Sequence, residues 1–91
     1  EIFLVIEVAA PLLKTGGLLY VYYNAAPDEL HPAVLEHVDD VGLYLLERSR
    51  YREYGIREDG IVMVKKQATD NTYPRSMTAI RRDIDSKIKG S

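Results

Sequence analysis

The chain has 91 residues, of which 46% are apolar and 29% charged; it contains no cysteine, and its net charge is −2. That length allows one small domain burying roughly 60–65% of the surface an unfolded chain exposes. The composition excludes a disordered chain, a disulfide framework and a thiolate metal site. The absence of cysteine fits a reducing, cytoplasmic setting. Glu1, Glu7, Pro11, Lys14 and the Gly16-Gly17 pair break up the apolar N-terminal stretch, whose longest runs fall far short of the ~20 residues of a membrane span. With no basic leader either, neither a span nor a signal peptide is expected.

Residues 2–14 read as a buried helix, although Ile2, Val5, Ile6 and Val8 are β-branched and a strand competes. Pro11 bends such a helix by removing a hydrogen bond, and Gly16 or Gly17 supplies a left-handed cap. Residues 18–23 form a near-continuous apolar run with three tyrosines, expected to be a strand covered on both faces. Asn24 to Pro27 form the loop at its carboxyl end.

A second helix lies within residues 28–41, capped by Asp28 or starting nearer His31, as Pro32 suggests. Leu30, Val34, Val38 and Val41 form its apolar stripe, and Gly42 stops it. A hairpin follows, with Leu43 to about Arg52 as one strand, a turn through Gly55 to Gly60, and Ile61 to Lys66 as the return. In that strand Arg48, Arg50 and Arg52 alternate onto one face, as a solvated sheet edge or an RNA-facing stripe. Residues 67–74 are polar loop, and Ser76 caps a last helix from about Met77 to Lys89. The two histidines, six residues apart, do not share a helical face, so solvated or capping roles are expected and metal binding is not.

Charge divides the chain. Residues 1–64 carry five Lys/Arg against eleven Asp/Glu, whereas residues 65–91 carry seven against three. An acidic body with a basic arm suits either a polyanionic partner or a solvated terminal helix. The expected domains are therefore a body over residues 1–66 and a basic tail over residues 67–91.

Three segments carry a family resemblance. Ile6-Glu7-Val8-Ala9-Ala10-Pro11-Leu12-Leu13-Lys14-Thr15-Gly16-Gly17 is similar to the "ELALPLLKPGG" segment of the G-type small-subunit ribosomal RNA methyltransferases, the glucose-inhibited-division B family. Ile61-Val62-Met63-Val64-Lys65-Lys66 looks like the last strand of that family. Tyr73-Pro74-Arg75 resembles its basic "YPR" tail, with Arg81 and Arg82 where the family places further Lys/Arg. Tyr23 and Asn24 stand where the family usually has Lys-Gly.

The resemblance implies an α/β fold: the C-terminal half of a Rossmann-like methyltransferase sheet, in the order helix, strand, helix, strand, strand, helix. The last strand is then antiparallel and lies between its two predecessors. It further implies transfer of a methyl group from S-adenosylmethionine to a guanine N7 of small-subunit ribosomal RNA. The cofactor would be held mainly by an N-terminal half outside these residues, which would itself be a partner. Candidate RNA contacts are Tyr23, Asn24, Lys65, Lys66, Tyr73, Arg75, Arg81 and Arg82, the tyrosines by stacking on a base and the cations by neutralising phosphates. The alternative is a stand-alone α/β interaction or dimerisation module without catalytic activity.

The only adjacent glycines, Gly16-Gly17, precede a strand rather than follow one, so the cofactor's Gly-rich turn is missing from these residues. Calorimetry on this chain alone is expected to detect negligible S-adenosylmethionine binding; a micromolar dissociation constant would contradict that.

Overall fold

A computed structural model describes residues 2–23 and 27–89. Helix α1 (Ile2–Ala9) tightens into a 3₁₀ turn at Ala10–Leu12, where Pro11 has no N–H to continue the α-helical ladder. Strand β1 (Leu18–Tyr22), helix α2 (Pro32–Asp40), strand β2 (Leu43–Leu45), a 3₁₀ helix at Arg48–Tyr54, strand β3 (Gly60–Lys65) and helix α3 (Met77–Ile84) follow. The last described turn, Asp85–Lys89, widens to π geometry.

The three strands form one sheet in the order β1-β3-β2. Strand β3 is antiparallel to both neighbours, with Tyr20 opposite Val62 on one side and Tyr44 opposite Val64 on the other. Strands β1 and β2 therefore run parallel, and α2 connects them as a crossover. All six residues of β3 are buried, as a central strand requires.

One sheet face, bearing Leu19, Val21, Ile61, Met63, Leu43 and Leu45, packs against α1 and α2 in the main core. Phe3 and Ile6 of α1 and Val34, Val38 and Val41 of the α2 region fill it. The opposite face is only partly covered. There Val62, Val64, Leu46 and Tyr51 form a smaller cluster. Leu18, Tyr20, Tyr22 and Tyr44 of the same face keep 39%, 43%, 77% and 37% of their surface. The expectation that β1 is covered on both faces is thus corrected: its burial alternates between half-buried and exposed.

The caps follow from local chemistry. The Nδ1 of His31 accepts from the Ala33 N–H at 3.0 Å, so α2 starts at Pro32 under a histidine cap. Ser76 caps α3 by accepting from Ala79 N–H at 3.2 Å. Gly42 adopts φ +87° beyond α2, and a Cβ there would stand 2.6 Å from the Gln67 carbonyl oxygen. Gly16, also at φ +87°, is not the helix cap anticipated, because α1 and its 3₁₀ turn end at an extended Leu13. Gly16 instead turns the chain into β1, its N–H bonding to the Lys65 carbonyl at 2.7 Å.

The largest departure from the sequence reading lies at residues 46–54. The strand expected to reach Arg52 ends at Leu45, and the arginines at 48, 50 and 52 sit on a 3₁₀ helix. That helix crosses beneath the second sheet face and inserts Tyr51, which is fully buried, against β3. The Tyr51 hydroxyl donates to Gly60 O at 3.2 Å and accepts from Val62 N–H at 3.1 Å. Covering Val62 and Val64 this way outweighs extending an edge strand of polar residues. Tyr51→Phe is expected to leave both backbone groups buried and unpaired, lowering unfolding free energy by about 1–2 kcal/mol. Denaturant titration with an unchanged midpoint would contradict it.

Candidate functional site

The most concentrated chemistry in the described residues lies where α1, α2 and the C-terminal arm meet. Glu7 occupies the buried stripe of α1 with Phe3, Ile6 and Ala10 and has no exposed surface. Its charge is answered by Arg75. The Arg75 backbone N–H donates to Oε2 at 2.6 Å, its Nη2 donates to Oε1 at 2.8 Å, and its Nε lies 3.1 Å from Oε2. Nη2 also reaches Asp83 Oδ2 on α3 at 3.1 Å, and Lys87 lies 3.5 Å from the same oxygen. A two-pronged guanidinium on one carboxylate, with a backbone N–H added, is the strong form of ion pair.

His37 of α2 completes the cluster. It is buried, stacked on Phe3 with ring centres 4.5 Å apart, and edge-on to Tyr73 at 6.2 Å. Its Nε2 lies 3.2 Å from Glu7 Oε1 but without hydrogen-bond geometry, so this buried nitrogen has no hydrogen-bond partner among the described residues. The expectation of a solvated or capping histidine is met at His31 and corrected at His37. Burial pushes the His37 imidazole below its ordinary pKa, outweighing the attraction of Glu7. Burial alone would raise Glu7, but the hydrogen bonds and charge of Arg75, with His37 behind them, bring its carboxyl below the usual range. Bonding to Glu7 makes Arg75 still harder to deprotonate.

A second feature is a cleft of about 530 Å³ at the carboxyl end of β1. Phe3, Val5, Tyr22, Tyr23, Leu30 and His31 are among its walls. Open α/β sheets place ligands at such a strand end. Among the described residues no group of three His, Asp or Glu side chains is arranged to hold a metal ion.

The structure divides the candidate RNA contacts. Lys65 is buried, and its ammonium donates to the Ala10 carbonyl and, at 3.0 Å, to the Leu13 carbonyl. It thereby ties down the carbonyls of Ala10 and Leu13 just beyond α1 and presents no charge to a phosphate. Arg75 is likewise turned inward onto Glu7. Lys66 pairs with Asp39 at the surface. Tyr73 is half-buried, follows Thr72 into a cis bond to Pro74, and packs against the main core. Tyr23 lines the cleft, Arg81 and Arg82 are exposed on α3, and Asn24 lies outside the described residues.

Glu7 and His37 were not singled out as interacting groups by sequence reasoning. The available signal was Glu7 itself: an acid on the apolar stripe of a helix must find a cation or carry its desolvation cost alone. No family model, curated protein or solved structure matches this chain, so the site rests on its own geometry.

The Glu7 contribution to stability has a defined pH sense. Because the folded-state pKa is depressed, it is present above about 4.5, the ordinary value, and lost as pH falls through the folded value. Arg75→Ala is expected to strand the buried carboxylate and cost about 3 kcal/mol, the low end for a broken buried pair, because Arg75 keeps 28% of its side-chain surface in water. A loss under about 0.5 kcal/mol in denaturant unfolding, the range of ordinary surface substitutions, would contradict the assignment.

Proposed function

We propose that these residues form the C-terminal part of a class I S-adenosylmethionine-dependent methyltransferase resembling the G-type small-subunit ribosomal RNA enzymes, acting on a guanine N7. The observation that carries the reading is the position of β3, antiparallel between two parallel strands joined through α2. Two further features support it. The outer edge of β1 is unpaired among the described residues, and one sheet face leaves Leu18, Tyr20, Tyr22 and Tyr44 exposed. Both suit a sheet that continues beyond β1 and carries helices on its second face.

The residues present do not themselves make a site for the methyl donor. Gly16 and Gly17 precede β1, Gly42 precedes β2, Gly55 ends the 3₁₀ helix and Gly60 opens β3; none follows the carboxyl end of a strand. In this reading the donor is bound by earlier strands. The contribution of these residues is orientation: a cleft wall at Tyr22 and Tyr23, where an aromatic ring can stack on a guanine drawn out of its helix, and a basic arm. Arg81 and Arg82 are the arm's phosphate contacts, while Arg75 holds the arm against the body. Aligning acceptor and donor supplies much of the rate in such a reaction.

The test is expression of the complete reading frame containing these residues, followed by assay of labelled methyl transfer from S-adenosylmethionine to small-subunit ribosomal RNA. The expected product is N7-methylguanine, formed less efficiently by an Arg81→Ala/Arg82→Ala variant at raised salt. A reading frame without a Gly-rich strand–turn–helix, whose product binds no S-adenosylmethionine, would overturn the proposal and favour the interaction module.

A further inference from the structure

Among the described side chains, the C-terminal arm meets the body through few apolar contacts. Of α3 only Ile80 is buried, with Tyr73 and Ile84 partly buried against the main core. Thr69 anchors the start of the arm by donating to Val41 O at 2.7 Å. Against this stand the six buried residues of β3. The arm is therefore a small cooperative unit able to open while the sheet stays closed, and the Glu7–Arg75 pair attaches it to α1.

That attachment uses both carboxylate oxygens of Glu7, and His37 faces one of them. Glu7 Oε1 accepts from Arg75 Nη2 at 2.8 Å and stands 3.2 Å from the unbonded Nε2 of His37. The geometry points to a proton-sensitive strap: the arm over residues 69–87 is docked through Glu7, and protonation of His37 releases it by competing with Arg75 for Oε1.

The competition has a direction. His37 is fixed inside the body on α2, stacked on Phe3, whereas Arg75 lies on the arm and is partly in water. Two cations on one buried carboxylate repel each other, and Arg75 is the one that can leave for solvent. The surrounding charges do not cancel this. Glu7 on α1 and Asp40 on α2 favour a charged His37, while Arg75 and Lys87 on the arm oppose it. Asp83 is occupied by Arg75 and Lys87. Burial, the largest influence, disfavours the charged imidazole in the docked state, and opening the arm removes the Arg75 and Lys87 charges and part of the burial, moving its pKa back up toward the ordinary 6.5. Proton uptake therefore accompanies opening. The docked state is favoured above that value and is lost as pH falls below it. This inference does not rest on the methyltransferase reading.

Hydrogen–deuterium exchange on the intact polypeptide tests it, with rates corrected for the chemical pH dependence. Linkage of one proton raises the opening constant by up to about tenfold per pH unit below the ordinary histidine pKa. Amides of residues 77–84 should accelerate by about fivefold between about pH 6.5 and pH 5.5, where the linkage is only partly developed, while those of residues 60–65 hold. His37→Phe, which keeps a ring on Phe3, should leave the arm protected at both values. The same acceleration in His37→Phe, no acceleration in the wild-type protein, or loss of protection by arm and sheet together would each overturn the strap. If His37→Phe does not fold, His37→Gln takes its place. If neither folds, an NMR titration of His37 decides: a midpoint coinciding with arm opening supports the strap, and one more than about a pH unit away overturns it.

Discussion

A carboxylate sealed from water cannot be left alone in a protein interior, and in this chain that constraint falls on Glu7. Its helix buries the apolar stripe of Phe3, Ile6 and Ala10 against the sheet, and Glu7 goes in with them. The cost of removing its charge from water is offset only by a cation of the right shape, which Arg75 brings from 68 residues away. The pairing fixes the Tyr73-Pro74-Arg75 segment, and with it the start of α3, onto the first helix. His37 and Asp83 then find their places around the same pair.

The arm is consequently part of the body's architecture, and the charge asymmetry of the chain is largely spent inside it. Lys65 closes the end of α1, Lys66 pairs with Asp39, Arg75 pairs with Glu7, and Lys87 approaches Asp83. Of the basic tail, Arg81 and Arg82 are the arginines held outward on α3. A polyanion approaching this end would meet two guanidinium groups on a short helix rather than a disordered basic tail. Residues that resemble an RNA-binding motif by type can thus be structural by position.

Much of the element order was legible because it is written in local signals. Pro32 and Gly42 bracket α2, Ser76 begins α3, and the stripe of Leu30, Val34, Val38 and Val41 is buried as its spacing requires. The position of β3 between β1 and β2 was expected from the family resemblance and is the observed strand order. What could not be read depends on contacts distant in sequence. Nothing near Leu45 announces that the strand stops so that Tyr51 can cover Val62 and Val64. Lys65 ends an apolar strand and looks exposed by type, yet the carbonyls of Ala10 and Leu13 draw it inward. His37 carries no mark of burial until Phe3 and Tyr73 close over it.

The claim that one buried ion pair joins the arm to the body is tested most directly by a double-mutant cycle in denaturant unfolding. Arg75→Met is expected to destabilise strongly, since it leaves the fully buried Glu7 carboxylate without its cation, and Glu7→Met less so, since Arg75 keeps Asp83 and partial contact with water. The double substitution should recover most of the loss, giving a coupling energy above about 2 kcal/mol. Single losses that simply add, within about 0.5 kcal/mol, would show that the two side chains do not depend on each other and would contradict the account.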